Sequence, residues 1–165
     1  MTVEQEPIDL AALAEDLVDE FGPVARRSEH ELELVEDGTV TVGADELRVL
    51  QIGRILVENA LLHTPAGTAV RVRASRRGDK GSLEVEDAGP GIPADRRDQL
   101  FERFYRLEGT RASGSGLGLA IAKELAELMG GTIAIESRRG LTVFRLALPM
   151  SGSWEPVAEK ARVLT

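Results

Sequence analysis

A chain of 165 residues with a net charge of -8, 42% hydrophobic residues and no cysteine has the size of one domain with one core. The missing cysteines exclude a disulfide framework and a thiolate metal site or nucleophile, no apolar run approaches the ~18 residues of a membrane span, and no signal peptide is visible, so a cytoplasmic location is the default expectation. The acidic balance argues against nucleic acid as a partner, yet the window from Asp95 to Arg111 sets five arginines against four acids, which points to an anionic ligand there.

Leu10, Leu13, Leu17, Val18 and Phe21 recur at helical spacing, and residues 8–28 are predicted as a helix that Gly22-Pro23 interrupts or kinks. "ELELVED" and "TVTVGA" alternate apolar with polar residues around Asp37-Gly38, a dipeptide of tight hairpins, so a strand pair is expected. Asp45 is a good N-cap for a long helix, "ELRVLQIGRILVENALLH", which Thr64-Pro65 ends. "TAVRVRAS" and "GSLEVEDA" form a second hairpin, with Val70, Val72 and Ala74 inward and Arg71 and Arg73 outward. A short helix is expected over 94–106, turn-rich and mobile sequence up to 115, then the helix "LGLAIAKELAELM" closed by Gly130-Gly131. "GTIAIES" and "LTVFRLALP" make the last strand pair, with Phe144, Leu146 and Leu148 on one face. The pattern reads as a two-layer α/β (α+β) sandwich, a mixed and mostly antiparallel sheet with three main helices on one face. Residues 1–150 form this domain; 151–165, which include Trp154, are a tail expected to be flexible.

Four features carry chemistry. In "SLEVEDAGPGIP" the period of two puts Asp87 on the same side as Leu83 and Val85, where a carboxylate needs a donor. It is either an acceptor for an exocyclic amine such as that of adenine, or simply the residue that opens a turn. "GSGLGLAIAKE" places Gly114, Gly116 and Gly118 at a helix start, which is a phosphate cradle in chemical terms or a flexible loop in structural ones. It fits neither G-x-G-x-x-G, since residue 119 is Leu, nor a P-loop, and the protein-kinase motifs are missing. Asn59 lies near the buried stripe of its helix, as an oxygen ligand for Mg²⁺ or an asparagine bonded to backbone. His63 sits at the helix end beside the expected cleft; it and His30 have no metal-ligand spacing, and His30 reads as a surface strand histidine.

Taken together, "ILVENALLHTP", "EDAGPGIP", "LFERFYR", "GSGLGLAIAKELAELMGG" and "GLTVFRLALP" resemble, in order and spacing, the N, G1, F and G2 boxes and last strand of the histidine-kinase catalytic ATP-binding domain. This family belongs to the group that includes DNA gyrase B and MutL. The resemblance implies a Bergerat-type fold with an ATP lid and Mg-ATP as ligand. It implies that Asn59 binds Mg²⁺, that Asp87 bonds the adenine amino group, that Gly89 and Gly91 let the backbone pass close to the base, and that Ile92 lines the purine pocket. His63 takes the place of the family's ring beside the nucleotide, and Thr142 lies on the strand flooring the pocket. Phe101 and Phe104 would anchor the lid, Arg103 and Arg106 would meet phosphate or the acceptor domain, and Gly114, Ser115, Gly116, Leu117, Gly118 and Leu119 would wrap the triphosphate.

Two positions depart from the family pattern: Ile55 replaces a polar residue four before Asn59, and Leu62 replaces a cation three after it. Weak nucleotide affinity or slow transfer is therefore expected. The implied activity is that of a sensor histidine kinase catalytic domain, which transfers the γ-phosphoryl group of ATP to a histidine on a dimerisation or phosphotransfer domain, in the same longer chain or a separate protein. A response regulator would act downstream, and the isolated domain is expected to be a monomer. No histidine here lies in a plausible acceptor motif. Alternatives in the same fold are an anti-sigma-factor-type serine kinase, which "LFERFYR" disfavours, and a non-catalytic nucleotide-sensing module, which Ile55 and Leu62 favour. A gyrase- or MutL-type ATPase is the least expected.

Overall fold

In the computed structural model, residues 3–102 and 118–151 are described. Two carboxylates start the first two helices. Asp9 Oδ1 accepts from the amide of Ala11 at 3.0 Å and from that of Val40 at 3.0 Å, capping α1 (Leu10–Arg27) while holding the approach to a later strand. Asp45 Oδ1 accepts from Leu47 at 3.1 Å and Arg48 at 3.4 Å at the start of α2 (Glu46–His63), and its Oδ2 accepts from Glu4 at 2.9 Å. The third helix, α3 (Gly118–Leu128), ends as its glycine pair predicts. Gly130 takes φ +75°, its amide bonds the carbonyl of Glu127, and that of Gly131 bonds Ala126.

The main sheet has the order β2 (Glu31–Val35), β4 (Ala69–Arg77), β5 (Lys80–Asp87), β7 (Leu141–Pro149), β6 (Thr132–Arg138). The β2–β4 pair is parallel and the others antiparallel. A second, two-stranded sheet pairs β1 (Glu6–Asp9) with β3 (Thr41–Ala44). The helices cover one face of the main sheet, where Val70, Val72, Ala74, Leu83, Val85, Phe144, Leu146 and Leu148 meet Leu10, Leu17, Ile52 and Leu56 in one buried core. Both hairpins expected from β4 to β7 form, and the mixed, mostly antiparallel sandwich is the fold observed.

Four expectations change. The strands around Asp37-Gly38 do not pair with each other: β2 joins β4 in parallel while β3 turns away to β1. Gly38 does adopt φ +83°, so the turn chemistry is present, but alternation gives no information about which partner a strand takes. The first helix starts at Leu10, because residues 6–9 are taken up by β1. The segment after Pro93 forms two 3₁₀ turns, Ala94–Arg96 and Asp98–Phe101, in place of one helix as far as it is described. His30 is buried at 8% exposure and precedes β2: its Nε2 lies 2.9 Å from Thr64 Oγ1 and its Nδ1 2.8 Å from Ser28 Oγ. Thr64 Oγ1 donates to the carbonyl of Ala60, so it accepts from Nε2–H, and the ring bolts the end of α1 to the end of α2.

The polar face of the sheet carries crossed ion pairs. Glu84 accepts from Ser75 at 2.8 Å and from Arg145 at 3.2 Å, and Arg145 reaches Glu136 at 2.7 Å. These long arms bury Glu84 although it points away from the core.

Candidate functional site

The predicted residues that are described gather at one end of the sheet, where β5 and β7 meet the C-terminal end of α2. Cα register puts Val70, Asp87, Thr142 and Ser137 in a row across four adjacent strands. Residues opposite one another in a sheet share a face, so Asp87 lies with Leu83 and Val85 on the helix-covered side, as the alternation predicts. Asp87 is 6% exposed and Thr142 2%. The Gly89 amide donates to Asp87 Oδ1 at 3.0 Å and is the one hydrogen bond of that carboxylate among the described residues. Burial raises the Asp87 pKa, Glu86 adds to the rise, and the Gly89 amide and, more weakly, His30 oppose it.

The glycines after Asp87 are required by the protein's own packing. A Cβ on Gly89 would stand 2.8 Å from Asp87 Oδ1 and 2.8 Å from Thr64 Cγ2, so the loop is pressed against both the carboxylate and the end of α2. Gly91 has φ +85°, and a Cβ there would meet the Arg138 carbonyl at 2.6 Å. Ile92 is half-buried against the core.

From α2, Asn59 and His63 lie four residues apart and so share a helix face. Asn59 is half-buried, and its side-chain amide makes no hydrogen bond among the described residues. Burial lowers the His63 pKa, and its Nδ1 is buried without a partner among the described residues. The start of α3 lies one turn from Asn59: a Cβ on Gly118 would sit 3.4 Å from Ile55 Cγ2. The first turn of α3, with Gly118 exposed and Leu119 packed against the core, therefore faces the turn of α2 that precedes Asn59. Leu62 is exposed, and the last turn of α2 holds no Lys or Arg. Arg103, Phe104, Arg106, Gly114, Ser115, Gly116 and Leu117 lie outside the described residues.

This donor set fits a nucleotide with its metal. Asp87 and His63 have hydrogen-bonding capacity left unused among the described residues, one for a donor and one at a ring nitrogen. Among the described residues no group of three or more His, Cys, Asp or Glu could hold a metal. Asn59 alone suits Mg²⁺, which takes most of its ligands from phosphates and water. Sequence reasoning missed Ser137, Thr64 and Arg97. Ser137 was open to the argument made for Asp87, since in β6 it continues the inward series Ile133, Ile135 as a polar residue. Thr64 and Arg97 belong to loop geometry and had no periodic signal.

The family described as histidine kinase-, DNA gyrase B-, and HSP90-like ATPase matches residues 44–152. The probable sensor histidine kinase TcrY of Mycobacterium tuberculosis is 36% identical over 163 residues, 97% of this chain and 34% of TcrY. The chain thus spans about a third of the length of the curated relatives it matches. Among solved structures, a mycobacterial sensor histidine kinase MprB aligns with TM-score 0.75 and 28% identity, over 90% of this chain and 99% of that one. Full-length ShkA in complex with AMPPNP aligns with TM-score 0.79 and 30% identity, over 92% of this chain and 32% of ShkA.

Proposed function

Because the chain belongs to the histidine kinase-, DNA gyrase B-, and HSP90-like ATPase family, we propose that it is the catalytic part of a sensor kinase, binding Mg-ATP and passing the γ-phosphoryl group to a histidine of a separate dimerisation or phosphotransfer domain. The observation that carries this reading is the buried Asp87 carboxylate, which meets one donor among the described residues and shares its sheet end with Thr142, Gly89 and the last turn of α2. Adenine supplies the missing donor through its amino group. Thr142 floors the base, Ile92 and Gly91 bound it, and His63 stands at the side of α2. Asn59 is the metal ligand, and bound Mg²⁺ supplies neutralisation of charge between the phosphates. Gly118 and Leu119 offer the start of α3 to the phosphates, and Gly114, Ser115, Gly116 and Leu117 precede it. Arg103 and Arg106 are the cations for the transferring group.

In the transfer, the bond from the γ-phosphorus to the bridging oxygen of ADP breaks, a phosphorus–nitrogen bond to the acceptor imidazole forms, and the imidazole loses its proton. Such chemistry asks mainly for positioning and charge stabilisation. The test mixes the full chain with γ-labelled ATP, Mg²⁺ and a histidine-containing dimerisation domain from a relative. The expected product is an acid-labile, alkali-stable phosphoprotein on that partner; acid-stable label on serine would overturn the reading in favour of a serine kinase. Ile55, beside Gly118, favours a second reading, a nucleotide sensor without transfer, because an apolar side chain there removes a polar contact from the metal's surroundings. Tight ATP binding with no label on any acceptor histidine supports that second reading.

A further inference from the structure

We propose that Ser137 and Arg97 are positioning residues for nucleotide binding, forming a clasp that holds the base loop in its binding shape through both peptide groups of Ile92. The Ile92 amide donates to Ser137 Oγ at 2.7 Å, and the Ile92 carbonyl accepts from Arg97 Nε at 3.2 Å. The same guanidinium donates through Nη2 to the Ser137 carbonyl, so one side chain ties loop and strand together. Ser137 Oγ lies 2.9 Å from Thr142 Oγ1, so one of the two hydroxyls donates to the other. Thr142 is the register partner of Asp87. A continuous line of contacts therefore runs from Asp87 across the sheet to Thr142 and Ser137, then into the loop at Ile92 and on to Arg97.

The loop needs this support. Residues 88–93 include two glycines and two prolines, and Ile92 lies outside the strand ladder that ends at Asp87. A segment of that composition spreads over many conformers unless bonds outside the ladder fix it. When only a fraction of a site is competent, the apparent dissociation constant rises by the inverse of that fraction. The clasp raises the competent fraction by seating Gly91 against the Arg138 carbonyl, where no Cβ fits. An arginine is required because its planar fork presents two donors to two carbonyls, whereas a lysine presents a single point.

The inference rests on the nucleotide reading, and ADP titrations of the full chain separate the two. Ser137→Ala and Arg97→Ala are each expected to weaken ADP about three- to tenfold, the loss of one or two ordinary hydrogen bonds. The double variant should be little worse than the weaker single one, because both hold the same loop conformation from the two peptide groups that flank Ile92. Ser137→Thr restores the hydroxyl and should return affinity to within about twofold, and Arg97→Lys should not. Thermal melts of every variant accompany the titrations. Affinities of both alanine variants equal to the parent's overturn the clasp while leaving nucleotide binding intact. Losses that add fully in the double variant, or that follow a fall in melting temperature and are not rescued by threonine, overturn it in favour of a purely structural role. A parent chain that binds no ADP removes the nucleotide reading and the clasp's role with it.

Discussion

The candidate site is built around a carboxylate held where a carboxylate is expensive. Asp87 is buried, and burial raises its pKa despite the Gly89 amide. For an acid whose folded-state pKa is raised, folding gains from the protonated form below the unfolded value, and that gain is lost as pH rises through the folded value. At neutral pH the ionised side chain therefore costs stability. Asp87→Asn removes that cost, so its melting temperature near pH 7.5 should equal or exceed the parent's, and the difference should narrow as the pH is lowered and the parent's carboxylate takes up its proton. In the proposed site the amide would give the adenine amino group a mixed partner in place of an acceptor, and ATP affinity should fall about 10- to 100-fold. Melts at two pH values beside a nucleotide titration check both halves. A variant that melts several degrees lower with affinity unchanged would return Asp87 to the role of a turn residue.

At the scale of the element, the cap of α2 is the most exposed to a single change. Asp45 receives three amides, those of Glu4, Leu47 and Arg48, and is itself buried. Asp45→Ala leaves them without that acceptor and should cost about 1–2 kcal/mol of stability in chemical denaturation. The cap lies at the opposite end of α2 from His63, so ATP affinity should not change. This cap was readable from the sequence because it is local: a carboxylate directly before an apolar run with a helical period has few other meanings. The Gly130-Gly131 stop and the β4–β5 and β6–β7 hairpins were readable for the same reason, each being decided within a few residues. The pairing of β2 and β3 was not. Their alternation is real, but β2 finds β4 across α2, and β3 finds β1 across α1, choices made by long-range packing. His30 was misread because its strand setting suggested solvent, whereas Ser28 and Thr64 draw the ring inward. In the site, Asp87, Asn59 and the glycines were legible, since each breaks the apolar or regular pattern around it. Arg97 sits between two irregular turns, and its role depends on where the end of β6 lies.

For the whole molecule, the candidate site joins pieces that the chain brings together from Asn59 to Thr142, so a bound nucleotide links the helix layer to the sheet. A ligand that binds only the folded chain stabilises it by mass action, about 2.7 kcal/mol at one hundred times the dissociation constant. For a domain of this size each kcal/mol is about 2–4 °C of melting temperature. Saturating Mg-ATP is therefore expected to raise the melting temperature by about 5–10 °C. At the same concentration the 10- to 100-fold weaker Asp87→Asn should keep only about 1–6 °C of that gain. The metal's share can be read from the same experiment. If Asn59 is its one protein ligand, Mg²⁺ would be held mainly through the phosphates, so chelation should reduce the ATP shift by a few degrees without abolishing it, because the proposed base contacts would persist. Asn59→Ala should bring the shift with Mg²⁺ down to that chelated value and leave the shift in chelator unchanged. An Asn59→Ala chain that still gains the full shift from Mg²⁺ would take Asn59 out of the metal's coordination and leave it as a polar residue of the α2 face.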